Sequence, residues 1–371
     1  MKKTSSLFLR FIPLLLIFAL TACAGAADSS SLSASSTVSS IVSSSPLSGS
    51  SDTSSLTSSD LSSEASSSEA VSSKEVSSKE TSSAPKDPYE DTNLIIMSDV
   101  HLCSQVWYGV DSPTRMGHMI DDLNEYYKTE KYSSVFLLGD LSLDHWKYNG
   151  GGSWINSKTS NTQNLIKNYL TNLDCKDYKL LPGNHEQYSD AKWKEITGFD
   201  RQYYVYMGGY LFIMLDNFRG ELDPNYHHDG KYTQTDVEFV KKTMSLYPDA
   251  PVVLCAHWFD VNAESTEFKN LVKNEERILC MFVGHDHQTI TVTLGADWGN
   301  KKIIHNGNFS YTKNNIADAQ NKWGWRRVRL TKKGIDVAYY TPANTYHINN
   351  SWVTNPTGEF DKHFIENPLA K

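Results

Sequence analysis

From residue 94 onward the chain alternates short, largely apolar runs with longer stretches of helical spacing. The runs are Leu94-Ile95-Ile96-Met97, Val135-Phe136-Leu137-Leu138, Tyr178-Lys179-Leu180-Leu181, Tyr210-Leu211-Phe212-Ile213-Met214-Leu215, Pro251-Val252-Val253-Leu254-Cys255-Ala256 and Ile278-Leu279-Cys280-Met281-Phe282-Val283. Each is too short to span a membrane and reads as a buried strand. Between them, Met116, Ile120, Leu123 and Tyr127 line one face of a helix, and Leu165, Ile166, Tyr169 and Leu173 line another. Thr235-Asp236-Val237-Glu238 has the form of a capping box, Thr at N-cap and Glu at N3, which predicts a helix to about Tyr247. A short helix is expected around Phe268, Leu271 and Val272. After residue 289 the alternation at 289–293 and the runs near Ile303, Val328 and Val337 predict antiparallel strands, with Lys332-Lys333-Gly334 as a hairpin turn. Strands alternating with helices and then a strand-rich end predict an α/β layered domain with a mixed sheet or sandwich.

The chain ahead of this region has a different character. Lys2, Lys3 and Arg10 precede the apolar run from Phe11 to Leu20, the layout of a signal peptide. Leu20-Thr21-Ala22-Cys23 resembles the lipobox of bacterial lipoproteins. The resemblance implies a signal peptide over 1–22, cleavage before Cys23, lipidation of its sulfur, and a protein anchored on the extracytoplasmic face of a bacterial envelope. Residues 23–88 are Ser-rich with hardly any large apolar side chain, and include the echo Val71-Ser-Ser-Lys-Glu and Val76-Ser-Ser-Lys-Glu. This composition cannot offset the entropy of ordering and predicts a disordered tether, or a glycosylated stalk, with an r.m.s. span on the order of 45 Å if flexible. The folded domain is expected over 89–345 and a C-terminal tail over 346–371.

Composition narrows the partners. The formal net charge of -8 gives no basic balance, so nucleic acid is not expected as an obligate partner. None of the five cysteines forms a C-x-x-C pair. Cys255 and Cys280 fall in buried strands and read as packed thiols; the pairing of Cys103 and Cys175 is left open, in a setting that permits a disulfide.

The chemistry stands where the strands end. The residues there are Asp99, His101, Asp140, Asn184, His185, His257, His285 and His287. Imidazoles, carboxylates and one amide carbonyl suit divalent first-row metals, and the set is too rich for one tetrahedral zinc. Gly139, Gly183 and Gly284 sit where the backbone must bend sharply beside a ligand.

With five blocks in order, Asp99-Val-His101, Gly139-Asp140, Gly183-Asn184-His185-Glu186, His257 after a strand, and Gly284-His285-Asp-His287, the sequence resembles the calcineurin-like metallophosphoesterase superfamily over about residues 93–310. The resemblance implies the family fold, a central mixed β-sandwich flanked by helices with the metal site at the strand C-terminal ends. It implies two divalent ions (manganese, iron or zinc), one held by Asp99, His101 and His287, the other by Asn184, His257 and His285, with Asp140 bridging. His185 would stand over the phosphoryl group without binding metal, its ring oriented by Glu186 or Asp144. The implied reaction is hydrolysis of a phosphoester, with a hydroxide shared by the two ions as nucleophile.

The sequence departs from the purple acid phosphatases, which carry a metal-binding Tyr where Leu143 stands, so no iron–tyrosinate centre is expected. No Arg/Lys cluster is evident to clamp a dianion, which favours diesters over monoesters; nucleotidase activity and a non-catalytic binding protein on the same scaffold are the rival readings. Asp216 and Asn217 end a strand without matching a family ligand and are read as loop-capping residues or supports behind the ligands. His227, His228, His305 and Asp297 are read as solvated loop residues. Trp107, Tyr108, Trp146, Trp154 and Trp258 flank the ligand blocks as either a substrate wall or loop packing, while Trp325, Tyr339 and Tyr340 follow strand spacing.

Overall fold

The computed structural model describes residues 87–103, 106–107, 110–144, 160–219, 230–310, 323–342, 345–348, 351–354 and 357–370. The signal peptide, Cys23 and nearly all of the tether, together with the side chains of Trp107, Tyr108, Trp146, Trp154, His227 and His228, lie outside the described residues.

Two six-stranded sheets carry the fold. The strands of the first, in chain order, are β1 (Thr92–Met97), β2 (Ser134–Leu138) and β3 (Tyr178–Leu181). Those of the second are β4 (Tyr203–Met207), β5 (Tyr210–Leu215), β6 (Val252–Ala256), β7 (Ile278–Val283), β8 (Thr291–Thr293) and β9 (Lys302–His305). The chain then returns to the first sheet with β10 (Trp325–Thr331), β11 (Gly334–Thr341) and β12 (Gly358–Glu366). The spatial orders are β12-β11-β10-β1-β2-β3 and β8-β9-β7-β6-β5-β4. In each sheet the strands that deliver the site run parallel: β1, β2 and β3 in one, β5, β6, β7 and β9 in the other.

Parallel strands bury both faces, which is why they read as continuous apolar runs. Leu94, Ile96, Phe136, Leu138, Phe212, Met214, Val253, Cys255 and Phe282 fill the space between the sheets. The alternate positions Ile95, Met97, Val135 and Leu137 face the helices of the first sheet, α1 (Ser112–Thr129) and α2 (Asn161–Asn168). Leu211, Ile213, Leu254 and Met281 face α4 (Val237–Leu246) and α5 (Thr266–Asn274) on the second; α3 (Asp190–Thr197) lies between the two sheets' segments in sequence and buries Trp193 in the first helical layer. A bulge between Val252 and Val253 sets Cys280, not Leu279, opposite Val253. Cys103, Cys175, Cys255 and Cys280 are buried free thiols.

Two sequence expectations need correction. The α4 N-cap is Asp236, whose carboxylate accepts from Phe239 N at 3.0 Å; the Thr235 hydroxyl donates to Glu264 instead, at 2.5 Å. Either residue can cap, and a buried carboxylate claims the threonine. The stretch expected as a C-terminal tail contains β12, paired antiparallel to β11 from Gly334↔Glu366 to Thr341↔Gly358, so the domain runs well past 345. Its charged, weakly alternating sequence is that of an edge strand, which conceals it from pattern reading. The expected Lys332-Lys333 turn joins β10 to β11. Tyr89, just before β1, packs its ring 6.0 Å from Tyr210 and accepts from Asn367 Nδ2 at 3.0 Å, closing the sandwich at the end opposite the ligand blocks.

Candidate metal centre

Asp99, His101, Asp140, His285 and His287 all have left-handed backbone, with φ of 57°, 48°, 52°, 71° and 60°. Only Asn300 and Asp361 share this among the described non-glycine residues. Each such residue costs roughly 1–3 kcal/mol and persists only where its surroundings over-determine it. Here they do. Past the end of β1 and β2 the two loops stay in register, Asp99 N donating to Gly139 O at 3.1 Å, His101 N to Asp140 O at 3.0 Å and Leu102 N to Leu141 O at 2.9 Å. The buried Arg115 guanidinium, from α1, donates to the carbonyls of Val100, Phe309 (2.7 Å) and His101 (3.1 Å). Burial pulls its pKa down to about 10.

The Glu186 carboxylate accepts from three main-chain amides, Oε2 from Asp140 N (2.8 Å) and Gly183 N (2.9 Å), Oε1 from Ser142 N (2.9 Å). It ties the second and third ligand blocks together, a different task from the expected orientation of His185. Burial and the Asp140 carboxylate push Glu186 up to about 8; the main-chain donors oppose that, and it is the ionised form that all three can satisfy. Asp144 is likewise occupied elsewhere, accepting from Tyr188, from Ser160 Oγ at 2.7 Å and from Asn161 N at 2.9 Å. The chain comes too close at two glycines for any side chain: a Cβ on Gly183 would meet the Asp140 carboxylate, and one on Gly284 would lie 2.5 Å from Asp99 Oδ2.

These constraints bring all eight sequence-predicted residues to one place. Asp140 Oδ2 lies 3.2 Å from His257 Nε2, 3.5 Å from His101 Nε2 and 3.5 Å from His185 Nε2. Asp99 Oδ1 lies 3.3 Å from His287 Nε2 and 3.6 Å from His101 Nε2, and both its oxygens accept from His285 N at 3.2 and 3.0 Å. Three groups have ligand atoms within 4.8 Å of one another: Asp99, His101 and His287; His101, Asp140 and His185; Asp140, His257 and His285. Asn184 Oδ1 stands 2.9 Å from His285 Nδ1 and 3.0 Å from His257 Nε2.

The donor set fits divalent cations. The Asn184 amide, at its oxygen, faces two imidazole nitrogens; turned over, its nitrogen would face the same two plus Asp140 Oδ1 and Oδ2 at 3.2 and 3.3 Å. Electron pairs converging on one point from buried groups call for positive charge there. Asp140 adds negative charge at that point: burial opposes its ionisation, but His185 and His257 hold it well below the usual carboxylate range. Burial would lower His257, yet Asp140 lifts it to about 10, with Nδ1 held 2.7 Å from Leu138 O. Burial lowers His101 and His285.

The raised His257 sets a pH dependence. Its proton must leave before Nε2 can bind a cation, so below about 10 protons compete with metal. Metal affinity is expected to weaken about tenfold for each unit the pH falls from 8 to 6, measured by chelator competition. A flat profile would contradict this.

Around the ligands stand supports, of which the sequence did not single out Arg201. Arg201, 6 % exposed, pairs with Asp216 at 2.5 Å and donates to the carbonyls of Glu186 (3.1 Å), Tyr188 (2.8 Å) and Phe218 (3.2 Å). Asp216 and Asn217 act as loop supports, Asn217 Nδ2 donating to Trp258 O at 2.9 Å. His305 is buried and not solvated, its Nδ1 3.0 Å from Asp286 Oδ1. An isolated Arg carries no sequence signal; Glu186 stood inside a ligand block and was legible as a candidate, whereas Asp286, between two ligands, was passed over.

Comparison with known proteins bears on this centre. The family model for calcineurin-like phosphoesterases matches residues 92–289. No curated protein matches the sequence. Among solved structures, a dimetal phosphatase from Danio rerio is 12% identical, with 72% of this chain and 99% of that chain covered and a TM-score of 0.48. A purple acid phosphatase from yellow lupin is 13% identical, covering 68% of this chain and 52% of that one at a TM-score of 0.44. The NAD nucleotidase of Haemophilus influenzae is 11% identical, covering 75% and 50%, at 0.34.

Proposed function

The chain belongs to the calcineurin-like phosphoesterase family and is a metal-dependent phosphoester hydrolase; on that premise we propose that it cleaves phosphodiesters at a pair of divalent ions on the extracytoplasmic side of a bacterial envelope. The observation that carries the site reading is the convergence of five imidazoles and one amide on the buried carboxylates Asp140 and Asp99, with no Lys or Arg among these eight side chains. Asp99, His101 and His287 would hold one ion, Asn184, His257 and His285 the other, with Asp140 shared. When bound, such a pair activates water near neutral pH and neutralises phosphoryl oxygens.

The residues of the chain do the rest. Asp140 is fixed for its shared role by donating its N–H to Glu186 and by accepting from His185 N at 3.1 Å. That second bond also places the His185 ring, 5.0 Å from His101, at the edge of the ligand cluster. From there His185 supplies a proton to the departing alkoxide. Among the described residues, Arg115 and Arg201, the arginines that brace the ligand loops, are spent on carbonyls and Asp216. With both of these guanidiniums committed, the described part of the site suits the single charge of a diester better than the two of a monoester.

Manganese-loaded protein is expected to hydrolyse a chromogenic phosphodiester with kcat/KM about tenfold above that for the matched monoester, a preference of about 1.4 kcal/mol. A ratio below one would overturn the diester assignment. The anchor is tested in cells: Cys23→Ser should abolish palmitate labelling and release the protein from membranes, and unchanged labelling would remove that part of the proposal.

A further inference from the structure

Beside the metal ligands stands an imidazole that the reaction as described does not use. His305 ends β9 with its side chain 7% exposed, and it is held at two points. Its carbonyl accepts from Arg326 Nε at 2.8 Å, and Arg326 is itself paired with Asp361 at 2.8 Å. Its ring Nδ1 lies 3.0 and 2.9 Å from the two oxygens of Asp286, the residue between His285 and His287. Asp286 in turn accepts from Gln288 N at 3.1 Å. Trp258 completes the group. Its partly exposed indole is 5.2 Å from the His285 ring and 6.0 Å from the His305 ring.

The hydrogen-bond roles follow from chemistry. A carboxylate only accepts, so Nδ1 carries the hydrogen, and in that tautomer the ring presents an electron pair at Nε2. Nε2 has no hydrogen-bond partner among the described residues. Neither Asp286 nor His305 belongs to the candidate ligand groups. An electron pair repels phosphoryl oxygens, which are acceptors too, and instead suits a hydroxyl that donates. An aromatic wall with one fixed polar atom is the make-up of a subsite for a molecule with an apolar C–H face and hydroxyl edges.

We propose that Trp258, His305 and Asp286 form a subsite for the alcohol arm of the substrate, taking an alcohol that bears a further hydroxyl, as polyols and sugars do. Trp258 covers the carbon face, His305 Nε2 accepts from the hydroxyl, and Asp286 is the positioning residue that fixes the tautomer. The proposal rests on the phosphoester reading above and names the substrate class for that site.

Binding tests it without turnover. Calorimetry on the manganese-loaded full chain would compare 3,4-dihydroxybutylphosphonate with butylphosphonate, whose C–P bonds a phosphoester hydrolase leaves intact. The dihydroxy compound is expected to bind about fivefold tighter, the scale of one hydrogen bond. The ratio should fall to about one in His305→Phe and shrink in Asp286→Asn. Equal affinities in the unmodified protein would overturn the subsite alone, since both compounds would still engage the metal centre. Discrimination that survives His305→Phe would also overturn it. Failure of both phosphonates to bind would instead sink the metal–phosphoryl reading and the subsite with it.

Discussion

Asp140→Asn is expected to lower phosphodiester turnover by at least about 10³-fold and to reduce retained metal from about two ions per chain to about one. The carboxylate is 1 % exposed and stands between His101 and His257, within 3.5 and 3.2 Å of their Nε2 atoms. An amide is isosteric, so the sandwich has no reason to collapse, and its oxygen can still accept from His185 N. What it lacks is the negative charge and a second oxygen able to accept on the other side. One cation then loses its shared ligand, and His257 loses the charge that raises its proton affinity. Circular dichroism and thermal melting separate this from unfolding, and metal analysis reports the lost ion. Wild-type turnover in a folded Asp140→Asn variant would mean that Asp140 is not shared.

Glu186→Gln is expected to act mainly through stability. Three buried main-chain N–H groups, from Asp140, Ser142 and Gly183, converge on its two oxygens. Glutamine offers one oxygen, and its NH₂ would confront at least one of those donors. An unsatisfied buried donor costs about 1–3 kcal/mol, and the added donor–donor contact brings the expected loss to ~2–4 kcal/mol. At ~2–4 °C per kcal/mol for a domain of this size, the melting temperature should fall by roughly 4–16 °C. Activity should fall as well, because the same bonds hold Asp140 and Gly183 in place. A melting temperature within about 1 °C of the unmodified protein would show that the clamp contributes little.

Much of this site was legible because parallel strands buried on both faces leave unbroken apolar runs, and each run ends where the chain first meets polar space. Asp99, His101, Asp140, Asn184, His257, His285 and His287 all follow that rule. What the sequence could not show was how those residues are aimed. Left-handed backbone normally announces itself through glycine, yet here it falls on Asp and His, whose φ values are imposed by hydrogen bonds from distant segments. Arg115 adds a bond to the His101 carbonyl, Arg201 braces the neighbouring loops, and an isolated arginine has no pattern to betray it. β12 was missed because its charged residues serve an exposed edge, and His305 because a histidine after a short strand looks like any loop residue. The cap of α4 slipped by one position because Thr235 and Asp236 are both competent, and only Glu264, 29 residues on, decides between them.

The central claim is that hydrolysis requires two divalent ions held around Asp140. Its most direct test is to strip the full chain of metal, add manganese in steps, and follow bound ion and diester hydrolysis together. The account predicts that activity stays near zero through the first equivalent and rises with the second to a plateau at about two ions per chain. Full activity at one equivalent, or hydrolysis undiminished in the stripped protein, would contradict it.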